Sequence, residues 1–98
     1  MPYLIRMVDK PGAAELRRAT RPAHLAYLAP FASRILAAGG FLSDDGEIAD
    51  GGIILFDTDS RAEAEALVAN DPFTQAGVFA EVEIRRWRKV FFNGALLA

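Results

Sequence analysis

Cysteine is absent from the 98 residues, and histidine occurs once, at His24. The first absence excludes disulfides, thiolate nucleophiles and Cys-ligated zinc or iron–sulfur centres. The second excludes a multi-histidine metal site within one chain, and no loop has the oxygen-ligand spacing of a calcium site. Charge of one sign is lacking too. Eleven Lys and Arg against 13 Asp and Glu give a formal charge of −2, so no field gathers nucleic acid or an anionic membrane. The start, Met1 to Asp9, has neither the charged nor the apolar segment of a signal peptide, and no later run could span a bilayer. Neither a Gly-rich phosphate loop nor a Gly-x-Ser-x-Gly elbow occurs, which removes support for nucleotide hydrolysis and α/β-hydrolase chemistry. The expectation is a cytoplasmic protein without metal or cofactor, and with neither membrane nor nucleic acid as partner.

What is present is apolar residue, 52% of the chain. A chain this short forms one domain, over residues 1–98, and buries a limited fraction of its surface. So much apolar content predicts that a second copy covers part of it, as a homodimer. Tyr3 to Val8 reads as a strand, stopped by Asp9-Lys10-Pro11-Gly12. Ala13 to Ala19 holds helix formers, Pro22 fits the first turn of a new helix, and Pro30 interrupts the segment that follows. The apolar run resumes at Phe31, Ile35 and Leu36, with Gly39-Gly40 as a C-terminal stop, so this stretch reads as a broken helical region. Phe41-Leu42 is a short strand and Gly52 to Asp57 a clear one. Ser60-Arg61-Ala62-Glu63 fits a capping box for a helix running to about Asn70, with Ala64, Leu67 and Val68 on its apolar face.

Val78 to Phe92 reads as the last strand. Val78, Ala80, Val82 and Ile84 share one side, while Glu81, Glu83 and Arg85 share the other. The parity then changes, with Arg86 and Arg88 even and Trp87 and Phe91 odd, which predicts a bulge or a second apolar contact surface. Residues 93–98 read as a flexible tail, or one that reaches the partner. The order β, α, β, β, α, β predicts an α+β fold of the ferredoxin-like split βαβ type, an antiparallel sheet with helices on one face. The other face would pack against a second copy about a twofold axis. The basic residues around Trp87 lack the aromatics and glycine of the RNP1 pattern, which argues against RNA.

His24 is the residue best suited to moving a proton near neutral pH. In the first turn after Pro22, the helix dipole would keep its imidazole neutral and able to accept a proton. A neighbouring carboxylate would orient the ring. Asp44 and Asp45 lie in a loop suited to reach it, although Asp-Asp-Gly is also ordinary turn chemistry. Asp71 has a structural explanation of its own, because Asp followed by Pro is a preferred N-cap and N1 pair for a turn over Phe73 to Ala76. Arg17, Arg21 and His24 would share one side of a continuous helix, where an Arg could bind a carboxylate or enolate. Tyr27 could donate a hydrogen bond into a cavity or sit in the core with its hydroxyl at the rim.

Four segments, Arg21-Pro22-Ala23-His24-Leu25-Ala26-Tyr27-Leu28, Ile35 to Gly40, Asp71-Pro72-Phe73 with Ala76-Gly77, and Ile84 to Phe91 including Trp87, occur in an order and spacing that resembles the YCII-related family. The sequence differs from the commoner family pattern at Gly40, where a Pro often follows the Gly, and at Pro30. The resemblance implies a dimeric α+β barrel, a homodimer with a cavity beside the sheet, and a His–Asp pair that would here be His24 and Asp71. The family also looks similar to muconolactone isomerases, and one branch is associated with dechlorination of a hydroxylated aromatic. The resulting expectation is a cofactor-independent isomerase or lyase acting on a cyclic or aromatic metabolite. Catalysis would fall to His24 and Asp71, and substrate contact to Arg21, Tyr27 and Asp45. The alternative is a noncatalytic small-ligand binding or assembly module on the same fold.

Overall fold

Residues 1–97 are described by the computed structural model. Strand β1, Tyr3–Asp9, alternates buried with half-buried positions. It lies between β3, Ala49–Phe56, and β4, Phe79–Arg86, with β2, Ile35–Leu42, outside β3. All three pairings are antiparallel. Helix α1, Ala14–Leu28, connects β1 to β2 through a 3-10 turn over Ala29–Arg34. Helices α2, Arg61–Ala69, and α3, Pro72–Gln75, connect β3 to β4. This is the split βαβ plan of the α+β class.

Strand parity sets the layers, since alternate residues face opposite sides of a sheet. Tyr3, Ile5 and Met7 of β1, with Ile54 and Phe56 of β3, pack against Leu28 of α1 and Ala64, Leu67 and Val68 of α2. Ile84, opposite Ile5, joins the same core. The other sheet face carries Leu4, Val8 and Ile53, which are half-buried, among the charges of Arg6, Glu81, Glu83 and Arg85. No helix covers it.

Several expectations need correction. First, α1 is one helix that runs through Pro22. Proline removes a single N–H donor there, a loss that fifteen helical residues absorb. Second, Ile35 to Gly40 is not helical. Ile35 is extended, at φ −96° and ψ 107°, and pairs with Phe56, so the chain enters β2 where the sequence suggests a helix ending at Gly39-Gly40. Pairing with a strand as apolar as β3 overrides local propensity. Third, the last strand ends at Arg86, and the register shift lies at its other end, opposite Val8 and Asp9.

Beyond Arg86, Phe91–Phe92 and Ala95–Leu96 form a hairpin, β5 and β6, where a tail is expected from residue 93. Its turn, Asn93-Gly94, takes positive φ at both residues, as a type I′ turn requires. Ala98 lies outside the described residues. The Ser60 cap is half of the expected box. Ser60 Oγ accepts from the Glu63 N–H, whereas the Glu63 carboxylate accepts from the Thr58 hydroxyl and Arg34. The Ser60 N–H is taken by Thr58 Oγ1 instead. Among the described residues, no helix is long and apolar enough to cross a membrane.

Candidate active site

A cavity of about 500 Å³ lies between α1 and the β2–β3 half of the sheet. Its floor is lined by Gly39, Gly40, Gly51 and Gly52, and Gly40 pairs with Gly52 across the two strands. Without side chains at that pair, the sheet leaves open volume beneath the helix. Arg17, Arg18, Arg21, His24 and Leu25 project from α1 along one side, while Leu42, Glu47 and Ile48 close the other.

His24 is held at its Nδ1 edge. Asp71 Oδ1 lies 2.9 Å and Oδ2 2.8 Å from Nδ1, spanning 47 residues of sequence. The Asp71 side chain is completely buried, and that of His24 is 14% exposed. A buried carboxylate that only accepts hydrogen bonds places the proton on Nδ1. Nε2 makes no hydrogen bond to the described residues, and none of their buried side-chain nitrogens lacks a partner, so Nε2 is accessible. Its lone pair is free to accept a proton.

Asp71 also caps α3, accepting from the Phe73 N–H at 2.9 Å. One carboxylate therefore performs both tasks. Phe73 in turn stacks on the imidazole, with ring centroids 4.0 Å apart and planes 20° from parallel. The segment Asp71-Pro72-Phe73 thus fixes His24 by its edge and by its face. Behind it, the Arg17 guanidinium sits 4.5 Å from the Phe73 centroid and forms a two-point bond to Asp9, with Nε to Oδ2 at 2.6 Å and a terminal nitrogen to Oδ1 at 3.1 Å. Asp9 is buried at the end of β1, so the pair ties α1 to the central strand.

His24 belongs to the C-terminal half of α1, far from its N-terminus at Ala14. The N-terminal field expected at the imidazole does not extend that far along the helix, and the neighbouring group is the Asp71 carboxylate. Arg21 lines the cavity and has no ion-pair partner among the described residues, whereas Arg17 is engaged by Asp9 and Arg18 by Glu15.

Tyr27 and Asp45 do not join His24 in this cavity. The Tyr27 hydroxyl donates to the Leu67 carbonyl at 2.8 Å, and the side chain borders a separate pocket with Phe31 and Arg34. Burial raises the pKa of that hydroxyl, and the charge of Asp71 adds to the effect. Asp45 is occupied within its own loop, accepting from the Ser43 hydroxyl at 2.7 Å and the Glu47 N–H at 3.0 Å. These two bonds hold its carboxyl below its ordinary range. Asp44 is exposed in the same loop and is not among the cavity-lining residues.

Sequence reasoning gave no role to the glycine floor, to Phe73 as a stacking partner, or to Arg17 as a latch on Asp9. The signal for the floor was present as two Gly-Gly pairs, at 39–40 and 51–52, read separately as a helix stop and a strand start. Among the described residues, no cluster of three or more His, Cys, Asp or Glu side chains could hold a metal ion.

The family model for the YCII-related domain matches residues 1–88. Protein YciI of Escherichia coli O6:H1 (strain CFT073) is 33% identical over 98 residues, an alignment spanning 93% of this chain and all of that protein. An uncharacterised protein of Haemophilus influenzae matches at the same identity and coverage. Among solved structures, the 5-chloro-2-hydroxyhydroquinone dehydrochlorinase of Burkholderia phenoliruptrix AC1100, in complex with 2,5-dihydroxybenzoquinone, superposes with a TM-score of 0.84. It is 36% identical, and the match covers 90% of this chain and 94% of that one.

Proposed function

The chain belongs to the YCII-related domain family, and we propose that it is a small-molecule enzyme of the isomerase or lyase type, with His24 as general base on a cyclic or aromatic substrate. The observation that carries this reading is the His24–Asp71 pair, a fully buried carboxylate on Nδ1 with Nε2 left accessible beside a cavity. A dehydrochlorinase of the same fold, solved with a dihydroxybenzoquinone, supports both the reaction type and the substrate class.

In this mechanism the Nε2 lone pair takes a proton from a ring hydroxyl or from a ring carbon next to a carbonyl. The electron pair left behind collects a proton at another ring carbon, giving the keto tautomer and so isomerisation; where that carbon carries a leaving group such as chloride, removal of a second hydroxyl proton then expels it, giving net loss of HCl. Asp71 keeps the imidazole in the productive tautomer and stabilises the imidazolium. Arg21 neutralises the oxyanion that develops on the ring. The substrate is a hydroxylated ring, and the protein works as one domain in a homodimer built on the uncovered sheet face.

The noncatalytic reading, a ligand-binding or assembly module, draws on one observation. Capping of α3 by itself explains a buried Asp71. The two readings separate when chloride release from chlorinated hydroxyhydroquinones is followed with wild type and His24→Ala. A wild-type rate that falls by about 100-fold or more in the variant is expected for loss of a general base. Equal rates in both proteins, or no turnover by wild type across the hydroxylated rings, would sink the enzymatic reading.

A further inference from the structure

Glycine in a strand interior weakens it, so each strand glycine calls for a reason. For two of the cavity glycines the fold itself supplies one. A Cβ on Gly51 would stand 2.3 Å from the Met7 carbonyl oxygen, and one on Gly52 2.3 Å from that of Gly39. Neither position can carry a side chain.

Gly40 is different. Its φ is not positive, and a Cβ there would meet only the Gly51 carbonyl oxygen, at 3.5 Å, an ordinary contact. The two register shifts of β2 lie between Ile35 and Ala37 and between Phe41 and Leu42, so neither falls at Gly40. Nothing in the protein forbids alanine. Opposite Gly52, which faces the helices as its neighbour Met7 does, a side chain on Gly40 would project into the cavity beneath α1. The space kept free is on the ligand's side, and a flat ring is the shape that uses a bare strand surface.

We propose that Gly40 is the specificity-determining floor of the site, where the planar ring of the substrate lies against the backbone of the Gly40–Gly52 pair. The inference rests on the ring-substrate reading above, but it concerns binding and not proton transfer. A side chain at position 40 narrows the volume in which the ring lies, as the Pro of the commoner family pattern would at this position.

The test titrates 2,5-dihydroxybenzoquinone into the full chain, wild type and Gly40→Ala and Gly40→Val, with thermal unfolding of each protein. The expected result is a Tm for Gly40→Ala equal to wild type or raised by a few degrees, about the size of a relieved glycine penalty. Its affinity falls by about tenfold or more, and Gly40→Val loses more still, as overfilling a fitted site does. Unchanged affinity in folded Gly40→Ala overturns the floor while leaving the proposed reaction standing. A large drop in Tm also overturns it, because the fold would then account for the glycine. Failure of wild type to bind the quinone removes the ring-substrate reading and the floor together.

Discussion

The two walls of the cavity are built on opposite terms. On the α1–α3 side, Asp71 and Phe73 are buried, Asp9 is nearly so, and their polar atoms are matched with one another or with His24 and Arg17. On the β2–β3 side, Leu42 is 59% and Ile48 57% exposed, the floor is glycine, and the loop is braced by one carboxylate. A group that must accept a proton needs fixed geometry and a fixed tautomer, and only dense packing supplies them. A surface that selects a substrate needs space and can be remodelled cheaply. The contrast assigns chemistry to the first wall and recognition to the second.

The comparison breaks most forcefully at Arg17→Met. That change leaves the Asp9 carboxylate buried without its partner, and loss of one member of such a pair costs about 3–5 kcal/mol. The Arg17 side chain retains some exposure, 12%, which puts the expected loss near the lower figure, read by denaturant unfolding. A cost of a few tenths of a kcal/mol would mean that this wall is not held by the latch.

Asp71 separates the wall's two tasks. In Asp71→Asn the amide oxygen still accepts from the Phe73 N–H, so stability should change little while turnover falls by about tenfold to a hundredfold, less than for loss of the base itself. Asp71→Ala should lose the cap as well, at about 1 kcal/mol. Paired kinetic and unfolding measurements on the two variants distinguish the tasks.

On the open wall, Ile48→Ala should move stability by less than about 0.5 kcal/mol, as exposed substitutions do, yet alter KM for a ring substrate. A cooperative loss of stability would show that this wall, too, is packed. The smallest effect is a pH dependence. Hydrogen bonds from Ser43 and then the Glu47 N–H hold the Asp45 pKa below its ordinary value of 3.8. Their contribution to loop order is fully present above that value and is lost as pH falls through the depressed one. Amide exchange of Glu47 should therefore accelerate only in that acidic window, and in Asp45→Asn it should show no such step.

The comparison also explains which parts could be read in the sequence. β1 and the β3 core announce themselves by β-formers bounded by turn residues, and the caps at Ser60 and Asp71 by local hydrogen-bonding chemistry. Those are near-neighbour signals. Only the Phe41-Leu42 end of β2 is legible, because Ala37-Ala38-Gly39-Gly40 has no strand pattern of its own and is extended only through pairing with Ala49–Phe56. The position of Pro22 inside α1 is hidden for a similar reason, since tertiary packing decides whether a helix tolerates it. For Tyr27 the sequence leaves two places open, a hydrogen bond into the cavity or the core with its hydroxyl at the rim, and the side chain packs against the core and donates to the Leu67 carbonyl. The cavity floor could not be read, since glycine in sequence does not say whether the missing side chain makes way for backbone, as at Gly52, or for a ligand.

In the proposed reaction Nε2 of His24 takes a proton from a ring substrate while Asp71 holds the other edge of the imidazole. Deuterium wash-in at the ring carbons of 2,5-dihydroxybenzoquinone in D₂O, followed by NMR, tests it most directly. Wild type should accelerate exchange over buffer, and His24→Ala should lose about 100-fold or more of that acceleration while still binding the quinone. Exchange at the wild-type rate in folded His24→Ala would rule out His24 as the base.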